Sequence, residues 1–243
     1  LYLGQIAEER KRPDEALEWF AAVETGEQYV AAQTRIGHIL AQQGKIDEAR
    51  QSLQAAAANS SRDRVQFLLA EAQILRDAGR AQAAYDMLDK SLVSQPDHPD
   101  LLYETALIAE RLDRMDVMET HLRKLIALKP DNAHAYNALG YSLADRGQRL
   151  DEAQALVGKA LEIAPDDPFI LDSMGWAMFK LGRYDDAVVY LGRAYAGRPD
   201  AEIAAHLGEV LWVKGERERA KEIWAAQLKD APDHPVLLET MRR

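Results

Sequence analysis

Five prolines fall at Pro96, Pro130, Pro165, Pro199 and Pro232, at intervals of 34, 35, 34 and 33 residues. A chain punctuated at a fixed interval is built from copies of one structural unit, which constrains its fold more tightly than composition can. Small residues keep the same step at Gly4, Gly37, Ala72, Ala106, Gly140, Gly175 and Gly208. About 12 positions after each comes a second small residue (Ala16, Ala49, Ala84, Ala153, Ala187 or Ala220), and Met118 breaks that series in the fourth copy. Four positions further stands a bulky side chain: Phe20, Leu53, Leu88, Leu122, Val157, Leu191 or Trp224. Glycine often divides the copy in half, at Gly44, Gly79, Gly147, Gly182 and Gly215. Seven copies fill the 243 residues and leave no room for a second kind of domain.

Each copy reads as two helices joined by a tight turn. In 133–164, Tyr136, Leu139, Gly140 and Leu143 recur with the 3.6-residue helical period. The turn Asp145-Arg146-Gly147-Gln148 then supplies a glycine that tolerates the left-handed conformation of a helix end. Ala153, Leu156, Val157 and Ala160 share one stripe of a second helix, and Pro165 stops it because proline cannot donate the next helical hydrogen bond. Paired small residues let the helices approach, and the bulky ones fill the space beside them, so Gly140, Gly175, Ala153 and Ala187 are expected to resist enlargement. No sustained alternation and no Asn-Gly turn between β-branched runs marks a strand. The prediction is an all-α chain of fourteen to fifteen helices, about 80% helical. Its repeats run approximately over 1–29, 30–64, 65–98, 99–132, 133–167, 168–200 and 201–234. A final segment, 235–243, is expected to cap the last copy with Val236, Leu237 and Met241, because a repeat array must hide its terminal apolar face.

Charge and motifs narrow the function. Acidic residues outnumber basic ones 40 to 30, a net charge of −10, which disfavours both nucleic acid and an anionic membrane surface as ligands. There is no cysteine, so disulfides and thiolate sites are excluded, and no run of 18 apolar residues suggests a membrane span. Phosphate-binding loops, GxGxxG, GxSxG and HExxH are all missing, so a non-enzymatic chain with no cofactor and no metal is expected. Two of the six histidines, His98 and His234, sit in identical Pro-Asp-His-Pro turns, read here as inter-repeat loops in which Asp97 or Asp233 starts the next helix. The opening Leu1-Tyr2-Leu3-Gly4 has neither an initiating Met nor a charged n-region, and a fragment of a longer protein is expected.

A unit of about 34 residues with small side chains at positions 8 and 20, a bulky one at 24 and Pro at 32 resembles the tetratricopeptide repeat. The copies at Ala133–Asp166 and Pro168–Pro199 carry the pattern most fully, whereas the second has Ser61 where the others end in proline. The resemblance spans essentially the whole chain. It implies a right-handed superhelical solenoid whose first helices line a concave groove, and a scaffold that grips peptides or proteins.

Within that register, positions 2, 5, 9 and 12 of each first helix face the groove. They include Tyr103, Asn137, Tyr141, Phe169, Asp172, Trp176, Phe179, Glu209 and Trp212, which form the candidate partner-binding series, while Trp224 and Tyr136 fall at core positions. Rigid aromatics are common anchors for partners, and Asp172 and Glu209 would favour basic or polar contacts. Members of the family that hold an acidic chaperone tail use Lys and Asn at positions 5 and 9; here those positions carry no Lys or Arg, so that clamp is not expected. The run Asp172-Ser-Met-Gly-Trp176, followed by Leu181–Asp185, Arg198-Pro-Asp200 and Ala204–Trp212, is similar to the C-terminal repeats of proteobacterial outer-membrane tetratricopeptide lipoproteins. Some of these are adaptors that bind a periplasmic C-terminal processing protease and deliver peptidoglycan hydrolases to it. The resemblance implies that role, a location on the periplasmic side of the outer membrane, and attachment only through a lipid anchor outside this segment. A cytoplasmic scaffold or the regulatory arm of an enzyme remains the alternative. Leu1, Leu3 and Ile6 lie on a first helix with nothing before it, so self-association through this edge or further upstream repeats are expected.

Overall fold

The computed structural model describes residues 1–242, and helices are its only regular elements. Among the described residues there are fifteen: α1 (Tyr2–Glu9), α2 (Pro13–Ala21), α3 (Tyr29–Gln42), α4 (Ile46–Asn59), α5 (Arg64–Asp77), α6 (Ala81–Ser94), α7 (Pro99–Arg111), α8 (Met115–Leu128), α9 (Ala133–Asp145), α10 (Leu150–Ile163), α11 (Pro168–Lys180), α12 (Tyr184–Gly197), α13 (Ala201–Val213), α14 (Arg217–Leu228) and α15 (Pro235–Thr240). None is long and apolar enough to cross a membrane. The fold class is therefore all-α, made of repeated helix hairpins. The chain divides into two compact units, Leu1–His121 and Leu122–Arg243.

The turn inside each hairpin has one construction. At Gly44, Gly79, Gly147, Gly182 and Gly215 the backbone is left-handed, with φ between 65° and 92°. The next amide reaches back over the helix end, as in Lys45 N–H to Leu40 O at 2.9 Å and Arg183 N–H to Met178 O at 2.9 Å. This six-residue loop satisfies a carbonyl that the helix end would otherwise orphan. The first and fourth hairpins use Lys11 and Asp113 at the same step, each with φ 57°. Their amide closures are retained, Arg12 N–H to Ala7 O and Arg114 N–H to Ala109 O, both 2.9 Å. A side chain in the left-handed region is strained, so these two turns are formed against local preference.

Packing explains the small-residue series. A Cβ built on Gly140 would lie 2.6 Å from Val157 Cγ2, one on Gly175 would lie 2.5 Å from Leu191 Cγ, and one on Gly4 2.5 Å from Phe20. On Gly208 it would collide with the Trp224 indole. Position 8 thus faces the bulky residue at position 24, and the first helix can touch the second only because position 8 is small. Phe20, Leu53 and Leu88 are fully buried in the first unit, as are Val157 and Leu191 in the second. Met118 replaces the small residue of position 20 in α8 and is itself buried.

Helix starts differ in part from expectation. Asn132, Asp167 and Asp200 cap α9, α11 and α13, each side chain accepting a backbone N–H of the first turn. In the Pro-Asp-His-Pro turns, however, His98 and His234 occupy the N-cap position and Pro99 and Pro235 begin the helices; Asp97 and Asp233 stand one residue too early. Proline sets the start because its fixed φ and missing N–H suit the first helical position. Where Ser61 replaces proline, Ser60 Oγ donates to Asp63 Oδ2 at 2.7 Å and closes the link by side chains instead. The last helix, α15, packs on α13, but only Leu237 of the three expected capping residues is buried; Val236 and Met241 are largely exposed. At the other end, Leu1 packs against the first core cluster while Tyr2, Leu3 and Ile6 are exposed.

Candidate functional site

In the second unit α11 packs against both α9 and α13, so three successive first helices lie side by side. Residues one repeat length apart therefore meet across neighbouring helices. Asp172 on α11 and His206 on α13 are 34 apart, and the carboxylate accepts from or faces Nδ1 through both oxygens, at 3.0 and 2.9 Å. The Trp176 ring stacks on the His206 ring with centroids 4.2 Å apart and planes 23° apart, and Tyr141 of α9 leans on the same imidazole at 6.2 Å. Trp176 Nε1 donates to Asp145 Oδ1 at 3.0 Å, 31 residues earlier at the end of α9. Lys180 closes the set: its ammonium lies 4.9 Å above the Trp176 ring and donates to the Asp145 carbonyl at 2.8 Å.

Burial acts on His206 first and disfavours its charged form. The Asp172 charge and hydrogen bond, aided by the charges of Glu202 and Glu209, outweigh that and hold the imidazole pKa above the usual histidine value. An Asp–His pair is two-thirds of a hydrolytic triad, but Ser173, the hydroxyl beside Asp172, is buried and donates to the Phe169 carbonyl at 2.9 Å. The pair joins two helices and presents no nucleophile from that serine.

The structure revises the expected groove series. Trp176 was expected to project into the groove and is instead 6% exposed, because His206, Phe179 and Lys180 surround its ring and Asp145 satisfies its N–H. Asp172 was expected to select a partner's polar groups and is 7% exposed, committed to His206. Trp212 is half-buried against Trp224, centroids 5.8 Å apart, with the Arg217 guanidinium 4.9 Å over its ring. Phe179 is half-buried between Trp176 at 5.0 Å and Tyr184 at 5.7 Å. Asn137, Tyr141 and Glu209 are half-buried, whereas Phe169 is 45% exposed with Arg198 over its ring. Tyr103 belongs to the first unit, on α7, where burial and then Glu104 and Glu110 raise its phenol pKa. Tyr136 is partly buried against the second unit's core, and Trp224 is buried within it. Three residues organise this site beyond the groove candidates: His206, one repeat of 34 residues after Asp172; Asp145, 31 before Trp176; and Lys180, 35 after Asp145.

Of the groove candidates on these three helices, Phe169 stays exposed while Tyr141, Glu209 and Trp212 are half-buried. Rings of this kind can bury apolar and cationic groups of a partner, with few rotamers of their own to freeze.

Comparison with known proteins fits this construction. The sequence profile described as Tetratricopeptide repeat matches residues 34–99, 69–117, 119–168 and 173–235. A TPR repeat-containing protein of Pseudomonas aeruginosa is 42% identical over 207 residues, which is 85% of this chain and 35% of that protein, so the chain spans about a third of the relative's length. Among solved structures, a tetratricopeptide repeat protein from Parabacteroides merdae aligns with a TM-score of 0.75 at 19% identity, over 98% of this chain and 94% of that one. A thermophilic TPR protein of Thermus thermophilus aligns at 0.66 with 24% identity, over 73% of this chain and 97% of that one. At these identities the structural likeness concerns the fold.

Proposed function

This chain belongs to the tetratricopeptide-repeat family, whose repeats build protein–protein interaction scaffolds, and we propose that it serves as an adaptor holding a protease and its substrates together. In this reading the chain is part of a lipid-anchored protein on the periplasmic side of the outer membrane. The partners are a C-terminal processing protease and the peptidoglycan hydrolases it degrades. The run from Asp172 to Trp212, which resembles the corresponding repeats of outer-membrane tetratricopeptide lipoproteins, supports the assignment. The observation that carries the interaction itself is Phe169 of the second unit, an aromatic ring left 45% exposed on α11 with the Arg198 guanidinium over it.

The test is a reconstitution. The purified chain is titrated with the processing protease of the same organism, and degradation of a peptidoglycan hydrolase is followed with and without the chain. The expected result is measurable binding and faster degradation. Phe169→Ala should weaken binding by about 2 kcal/mol while leaving the melting temperature unchanged, as expected for an exposed aromatic anchor. Trp176→Ala should lower stability as well, by about 3–5 kcal/mol, because it empties a packed site. No binding to the protease, or binding untouched by Phe169→Ala, would sink the proposal.

A further inference from the structure

In the first unit, the link before α5 and the link before α7 enclose a polar cavity of about 370 Å³, lined by Arg62, Arg64, Gln66, Gln95 and His98 among others. The chain is acidic, and several arginines of the same unit are held by carboxylates, such as Arg50 by Glu71 at 2.9 Å, Arg76 by Glu104 at 3.5 Å and Arg80 by Asp47 at 2.8 Å, while others among the described residues, such as Arg10 and Arg111, have no ion pair. Among the described residues, Arg62 and Arg64 have no such ion pair and no side-chain hydrogen bond. Asp63, between them in sequence, pairs with neither; its Oδ2 accepts from the Ser60 hydroxyl at 2.7 Å. Two guanidinium groups thus line one cavity with their carboxylate-binding geometry unused.

We propose that this cavity binds an acidic peptide segment of a partner protein, its carboxylates on Arg62 and Arg64 and its backbone on the amides of Gln66 and Gln95. A guanidinium matches a planar carboxylate through paired hydrogen bonds, which gives the site both charge and shape selectivity. The two glutamine side chains have no partner of their own and offer a donor and an acceptor each, which suits a peptide backbone. Asp100 also lines the cavity and sets an upper limit on the charge it accepts: it repels a dianionic phosphate more than a carboxylate, and it leaves room for a basic neighbour on the peptide. A polyanion such as nucleic acid would need a longer basic track than two arginines supply. This site is independent of the adaptor reading and lies in the other unit from Phe169.

The experiment titrates the full chain by calorimetry with an acetylated, amidated hexapeptide carrying two central glutamates, and with its glutamine counterpart. Binding of the glutamate peptide is expected, weakening as salt is added. The glutamine peptide and the double variant Arg62→Gln/Arg64→Gln each remove both charged hydrogen-bonded contacts and should lower affinity by at least about tenfold. Both arginines are exposed, so the variant's circular-dichroism spectrum and melting temperature should match the parent's. Phe169→Ala should bind the peptide unchanged, which keeps this result separate from the aromatic surface of the second unit. Equal affinity for the two peptides, an unaltered double variant, or displacement of the peptide by an equal concentration of inorganic phosphate would each overturn the proposal.

Discussion

Replacing Gly140 with alanine adds one methyl group where α9 meets α10, and the structure sets the consequence. The new Cβ would stand 2.6 Å from Val157 Cγ2, 2.9 Å from the Ala153 carbonyl oxygen and 3.1 Å from the Val157 amide nitrogen. Carbon atoms rest at about 3.5–4.0 Å, so Val157 must retreat by about 1 Å. Valine has one strongly preferred helical rotamer and cannot swing aside. The other two obstacles are backbone atoms of α10, so the helices must separate. Overpacking of this kind costs about 1–3 kcal/mol, and the better helix propensity of alanine returns roughly 1, leaving a net loss of up to about 2 kcal/mol. Gly192 provides the control, since it lies inside α12 and a Cβ there meets nothing within 4 Å. Gly192→Ala should therefore stabilise by about 0.5–1 kcal/mol. Urea unfolding followed by circular dichroism gives the midpoints, compared within one transition because repeat arrays can unfold in stages. If both variants shifted the midpoint in the same direction, close contact between positions 8 and 24 would not be what keeps position 8 small.

Lys11→Gly should raise the urea midpoint, by about 1 kcal/mol of stability, because a lysine now holds φ 57° where glycine would be unstrained; an unchanged or lower midpoint would contradict this. For His206 the sign follows from its raised pKa: the folded protein binds the proton more tightly than the unfolded chain, so the stabilisation is complete below the unfolded value of about 6.5 and fades as pH rises through the folded value. The stability difference between the parent and His206→Gln, measured by urea titration, should therefore be largest near pH 6 and shrink towards pH 9; a difference independent of pH would show that the imidazolium–Asp172 pair is not what His206 contributes.

The fold could be read from sequence because close helix contacts leave a periodic mark. Gly140 and Gly175 cannot be large, and Val157 and Leu191 cannot be small, for the same steric reason. The spacing of those residues encodes the hairpin directly. Lys11 and Asp113 were less visible, since their turns lack the glycine that marks the others. Their position was nonetheless implied: 11, 44, 79, 113, 147, 182 and 215 advance by the repeat length. Turn geometry here is imposed by the two packed helices, and residue preference follows only where it can. The Pro-Asp-His-Pro turns show the reverse case, in which proline at the first helical position decides the boundary and leaves histidine, not aspartate, as the cap.

The site was harder to read because a register specifies which face a side chain leaves from but not how deep the neighbouring helix makes it. Trp176 leaves α11 on the expected face, yet His206 from α13 and the end of α9 close over it. An indole is buried at little cost only if its N–H is satisfied, and Asp145, 31 residues earlier, supplies that acceptor. That separation is about one helical turn short of the repeat, so it links the end of one first helix to the middle of the next. Asp172 and His206 repeat the lesson at a separation of 34. Polar pairs one repeat apart therefore mark where successive first helices are locked together, and an aromatic beside such a pair belongs to the lock. Phe169, an aromatic without one, stays exposed, with the Arg198 guanidinium over its ring.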